Sequence, residues 1–152
     1  MASPSLLASE HENVLAAQDE LLYEIVNGQR VELPPMSAYA TWLASRLHSR
    51  LGPYAEDKGL GTSMTEMLFV LDAEHDLRRR PDVAFVSTAR WPVDRALPRT
   101  GDWDVVPDLA VEVISPHDVF KEVLARVREY FHRPTCLVTL TTRSTTCTLP
   151  CR

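Results

Sequence analysis

Apolar and polar positions change their period several times along the chain. Ser9-Glu10-His11-Glu12 has the Ser-x-x-Glu form of a capping box and is followed by Val14, Leu15, Leu21 and Leu22, so a short first helix is expected. LLYEIV and QRVEL then read as two strands, joined at Asn27-Gly28, a pair that supplies the positive φ angles of a type I′ hairpin turn. Pro34-Pro35 stops the second strand. Ser37 is placed to cap a helix in which Tyr39, Trp42, Leu43, Leu47 and Leu51 recur at helical spacing, and Gly52-Pro53 marks its expected end.

MTEMLFVL (64–71) and PDVAFVS (81–87) are extended segments expected to lie side by side as antiparallel strands, with DAEHDLRRR as a charged turn between them. Residues 90–107 carry Pro92, Pro98, Gly101 and Pro107 without periodicity, and read as a long surface loop of the kind that borders functional sites. A helix follows from about Asp118 to Phe131. Phe120, Val123, Leu124, Val127, Tyr130 and Phe131 make its apolar face, with Lys121 and Arg126 on opposite flanks.

Between loop and helix, PDLAVEVISP poses the main chemical question. Leu109 to Ile114 has the uninterrupted apolar character of a strand buried on both faces, yet Glu112 sits within it. A buried carboxylate costs several kcal/mol unless it is paired, protonated or bound to a metal. Asp108 lies on the same strand, ~13 Å away at the rise of an extended chain, too far to share an ion with it. Asp82, at the start of another strand, reaches a common site with Glu112 if the two strands are neighbours, and a divalent cation between them would offset both charges. An ion pair with an arginine, protonation, or an edge position facing water are the alternatives.

With 152 residues and a formal net charge of -5, the chain is sized for one domain and is not a constitutive binder held to nucleic acid by phosphate neutralisation alone. The basic residues are nearly all arginine and cluster at Arg78-Arg79-Arg80 and at Arg126, Arg128 and Arg133, as a phosphate contact or as a solvated turn and polar helix face. The N-terminus has no basic start, apolar run or cleavage site, and no segment has the length of a membrane span, so a cytoplasmic location without membrane contact is expected. Cys136, Cys147 and Cys151 match no zinc spacing and read as free thiols, although His132 with Cys136 has the chemistry of a ligand pair. The Thr- and Cys-rich tail has no acidic residue after Arg133; it reads as a last strand, CLVTL, and a polar end, or as a stretch out of frame.

VNGQRVELPPMS, RRRPDVAFVS, PDLAVEVISP and VLARVREYF together resemble the Uma-two family of restriction-type endonucleases, within the PD-(D/E)xK nuclease pattern. The resemblance implies an α/β (α+β-like) fold with a restriction-endonuclease-like mixed central sheet flanked by helices. It divides the chain into an N-terminal extension (1–20), a nuclease-like domain (21–133) and an atypical tail (134–152). It further implies Mg²⁺ or Mn²⁺, phosphodiester hydrolysis, and a nucleic-acid partner, DNA first, with a homodimer as a compatible assembly. Asp82 and Glu112 match the metal ligands, with the Val113 carbonyl as a third oxygen. The motif lysine is missing: Ile114 occupies its slot, and Arg126 matches the helical position from which the family takes its lysine. Arg126 suits charge stabilisation but not proton abstraction, so Lys121 is the alternative, and Arg78, Arg79 and Arg80 are the candidate nucleic-acid strip. A degenerate nuclease fold kept for binding DNA or a protein, or a nonfunctional product of a damaged gene, are the competing readings.

Overall fold

The structure, a computed structural model, describes residues 21–99, 101–115, 118–141 and 146–148. The expected first helix and the end of the tail lie outside them, as do the cysteine side chains. The fold is mixed α and β, as the resemblance implied, but the strands form two sheets instead of one.

The first sheet has four strands in the order β2-β1-β5-β4. β1 (Tyr23–Val26) and β2 (Gln29–Glu32) form the expected hairpin, with Asn27 at φ 51° and Gly28 at φ 75°. β4 (Phe69–Asp72) and β5 (Leu77–Arg79) complete it. The segment expected as one strand over 64–71 is therefore divided. Glu66, at φ 51°, turns the backbone out of the extended region, so that β3 (Gly61–Thr65) joins one sheet and β4 the other. The charged turn that follows is itself partly strand: Leu77 to Arg79 pair with both β1 and β4.

The second sheet is ordered β3-β6-β7-β8-β9. β6 (Val83–Ser87) is antiparallel to both β3 and β7 (Leu109–Ile114), whereas β8 (Cys136–Thr141) runs parallel to β7 and pairs with β9 (Thr146–Thr148). The parallel pair needs a crossover, supplied by helix α2 (Phe120–Phe131).

Helix α1 (Ala38–Asp57) begins as expected, with the Ser37 side chain accepting the Ala40 N–H at 3.2 Å. It does not stop at Gly52-Pro53. Leu51 and Ala55 continue the stripe that packs inward, and this packing outweighs the one backbone hydrogen bond that Pro53 removes.

Alternation along β6 and β7 gives the second sheet two different faces. Val83, Val111 and Val113 pack under Ala40 and Ala44 of α1. Ala84, Val86 and Ala110 face the other way, into a cluster with Phe69, Leu71, Trp103 and Tyr130. The long loop is pinned there: Trp103 is fully buried, stacks on Phe69 at 5.5 Å, and exchanges backbone hydrogen bonds with Leu68 and Val70.

Candidate functional site

Two cross-strand pairs, one from each sheet, meet below α2. In the second sheet Val83 pairs with Val111, so the next step of the antiparallel register sets Asp82 opposite Glu112. Both stand on the Ala84/Ala110 face, toward the first sheet and α2. In the first sheet Ile25 pairs with Arg78, and the same step sets Glu24 opposite Arg79. Only Arg80 and Pro81 separate Arg79 from Asp82, so one short link fixes the two pairs relative to each other.

Glu112 is buried, and its partners are visible. Arg126 Nη1 donates to Oε2 at 3.2 Å and the Tyr130 hydroxyl donates to Oε1 at 3.2 Å. Arg126 and Tyr130 are four residues apart on α2 and so share the face turned to the sheet. Burial still dominates: the Glu112 carboxyl is pushed up to about 8, with Arg126 opposing the rise and the Asp82 charge adding to it. Asp82 accepts the Val113 N–H at 2.5 Å through Oδ2; burial raises its carboxyl to about 6 against that hydrogen bond. Buried against Glu112, the Tyr130 hydroxyl is held well above its usual range.

Glu24 has no solvent exposure. Its Oε2 accepts Arg79 Nη1 at 2.6 Å and lies 3.5 Å from Arg126 Nη2, while Oε1 accepts the Arg80 N–H at 3.0 Å. Arg79 is completed by two hydrogen bonds to Glu129 at 2.6 and 2.9 Å. Burial opposes the charge of Arg79, yet the Glu129 hydrogen bonds and the Glu24 charge hold its pKa above the ordinary arginine value.

Asp82, Glu112 and Arg126 border a cleft of about 450 Å³. Five carboxylates line it, Asp82 and Glu112 with Glu66, Asp118 and Glu122, against two guanidiniums, Arg80 and Arg126; the remaining wall is largely apolar, from the β2 end, the start of α1 and Val119, Val123 and Val127. Among the expected site residues, Asp82, Glu112, Val113, Arg126 and Arg80 converge on this cleft. Lys121 is exposed and does not line it. The three consecutive arginines do not form one strip. Arg78 pairs with Asp76 and Asp102 and Arg79 is internal, while the Arg80 guanidinium hydrogen-bonds the carbonyls of Tyr23, at 3.1 Å, and Glu66. Asp108 has a structural role, accepting the Ser87 N–H at 2.7 Å and pairing with Arg90 at 2.9 Å.

Glu24 is not among the expected site residues, although LLYEIV contains the same anomaly that marks Glu112, an acid within an apolar strand. Tyr130 reads from the sequence as part of an apolar face, while its hydroxyl reaches Glu112.

The arrangement of strands and helices is that of a nuclease-like fold. It resembles the crystal structure of a putative nuclease belonging to DUF820 from Anabaena variabilis ATCC 29413, with a TM-score of 0.63 and 15% identity, over 78% of this chain and 65% of that one. Residues 9–146 match the model of the Uma2 family, described as putative restriction endonuclease, and the chain belongs to that family. No curated protein matches the sequence. No helix among the described residues is long and apolar enough to cross a membrane.

Proposed function

We propose that this protein is a divalent-cation-dependent nuclease that hydrolyses phosphodiester bonds in nucleic acid, with DNA as the first substrate to test. The observation that carries the proposal is the Asp82/Glu112 pair, two acids set opposite each other at an acidic cleft in a chain of this family.

The donor set fits a hard divalent cation. Among the described residues no group of three or more acid, histidine or cysteine side chains is arranged to hold a metal, so the two carboxylates need help from backbone oxygen and water, as Mg²⁺ sites commonly do. Glu112 retains one acceptor site on each oxygen after the Arg126 and Tyr130 hydrogen bonds, and Asp82 keeps Oδ1 clear of its bond to Val113. The Val113 carbonyl is the proposed third protein oxygen. When bound, a divalent ion there supplies Lewis-acid activation of water and stabilisation of the leaving oxygen.

The chain's own residues do the rest. Tyr130 fixes the orientation of the Glu112 carboxylate, and the Val113 N–H fixes that of Asp82. Arg126, partly exposed at the cleft, is placed to stabilise negative charge developing on a phosphate; its guanidinium stays protonated and does not abstract a proton. Of the three consecutive arginines, Arg80 is the one at the cleft and is the proposed contact to the nucleic-acid backbone.

A second reading, a nuclease fold retained for binding without catalysis, is favoured by one observation: both Glu112 oxygens already accept hydrogen bonds, one of them from an arginine where the family takes a lysine. Incubating supercoiled plasmid with the protein and Mg²⁺ or Mn²⁺, beside Asp82→Ala purified in parallel, decides between them. Cleavage by the parent alone is expected. Equal cleavage by both would reveal a contaminating nuclease, and no cleavage by the parent with either ion would leave the binding reading.

A further inference from the structure

Arg126 stands between two carboxylates that belong to different pairs. Nη1 is 3.2 Å from Glu112 Oε2 and Nη2 is 3.5 Å from Glu24 Oε2. The two acids differ in what else neutralises them. Glu24 has Arg79 at 2.6 Å and the Arg80 N–H at 3.0 Å, whereas among the described residues Glu112 has only the neutral Tyr130 hydroxyl besides Arg126. A cation arriving at Asp82 and Glu112 would therefore find a guanidinium on one of its two carboxylates. Like charges a few ångströms apart in a poorly solvated cleft repel strongly. Arg126 must give way, and a seat already exists for it.

We propose that Glu24 is a positioning residue for cation binding: its buried carboxylate draws Arg126 off Glu112, so that the acid pair can accept a divalent ion. Arg126 needs only a small side-chain rotation to trade its contact with Glu112 for a closer one with Glu24, since it already lies between them. Arg79 does not compete for this role, because its remaining donors are taken by Glu129. Glu24 thus works through Arg126 and touches neither the ion nor the substrate. The inference rests on the proposed metal site and adds a residue outside the ligand set.

The test is cation affinity without turnover. Ca²⁺ and Mn²⁺ binding are measured by calorimetry, in the absence of nucleic acid, for the parent, Glu24→Gln, Arg126→Met and the double variant. Outer-shell partners of metal ligands typically change affinity by about 10–100-fold, so Glu24→Gln should weaken binding by roughly that factor. Arg126→Met should bind at least as tightly as the parent. In the double variant the loss should disappear, because the competitor that Glu24 restrains has gone; a general loss of folding would not be rescued in this way. A parent that binds neither ion overturns the metal site and this inference together. A parent that binds, with Glu24→Gln unchanged or with the double variant as weak as Glu24→Gln, overturns this inference alone.

Discussion

Glu24 and Arg79, fifty-five residues apart in sequence, meet at 2.6 Å as a direct cross-strand pair, one fully buried and the other nearly so. A pair of this kind is held in place by the cost of breaking it. Removing one partner of a buried ion pair typically destabilises by about 3–5 kcal/mol, because the other charge is left without water or counterion. Arg79→Ala removes the closest counter-charge of the buried Glu24, leaving it the Arg80 N–H and Arg126 at 3.5 Å, and should cost toward the lower end of that range in urea unfolding. Replacing the pair together, as Glu24→Leu with Arg79→Met, should cost less than Arg79→Ala alone. A single-variant cost below about 1 kcal/mol would mean that water reaches the pair.

Stability without metal should fall as pH rises. Asp82 and Glu112 have folded-state pKa values near 6 and 8, above their ordinary values of 3.8 and 4.5. Between those limits the folded state binds more protons than the unfolded one, so the contribution is fully present in acid and is lost as pH climbs through the folded values. In EDTA the unfolding free energy should drop by a few kcal/mol, as an order of magnitude, between about pH 5 and pH 8. Excess Mg²⁺ or Mn²⁺ should restore it most at the alkaline end, where both carboxylates ionise readily. A profile that rises with pH in EDTA would contradict the raised values.

The helix position of the missing lysine gives an activity prediction. Arg126→Lys places a compact ammonium where the guanidinium now spans two carboxylates, and lets it approach both phosphate and water. A well-placed electrostatic donor is worth on the order of a hundredfold to a thousandfold in rate, so single-turnover cleavage should rise measurably. Lys121→Ala, away from the cleft, should leave the rate unchanged. Loss of cleavage on Lys121→Ala would show that substrate reaches beyond the cleft.

Gly61 tests the register beneath the site. Its φ is 153°, and a Cβ there would fall 2.1 Å from the Val86 carbonyl oxygen, on the strand that begins just after Asp82. Backbone cannot yield as a side-chain tip can. Gly61→Ala should destabilise by about 2–4 kcal/mol in denaturant titration, with a matching loss of cation affinity. An unchanged midpoint would mean that β3 does not approach β6 this closely.

What could be read from residues alone was whatever depends on local chemistry. Asn27-Gly28 announced its hairpin, Ser37 its helix start, and the apolar run around Glu112 its strand, because each preference is settled by neighbours in sequence. Pro53 misled because its local cost is overridden by the packing of Leu51 and Ala55. The split at Glu66 was hidden, since nothing in the apolar pattern of 64–71 distinguishes one strand from two. Arg79, between two other arginines, reads as solvated, and only the alternation of a strand that the charged turn conceals sends it inward. The site was half visible for the same reason. Asp82 and Glu112 stood out as anomalies, whereas their placement against Arg126, and the existence of Glu24 behind it, depend on two sheets meeting.

The order in which these residues are made has a consequence of its own. At roughly 5–20 residues per second, Glu24 leaves the ribosome on the order of ten seconds before Arg126, and Arg79 arrives about midway between them. During synthesis the β1–β2 hairpin can close by itself, but the Glu24 carboxylate has to stay in water until β5 brings Arg79. The acid pair must then wait for β7, and its organising arginine and tyrosine for α2. A nascent chain therefore carries no assembled centre until α2 has been translated, and a ribosome halted before α2 presents the Asp82/Glu112 pair without the Arg126 and Tyr130 hydrogen bonds.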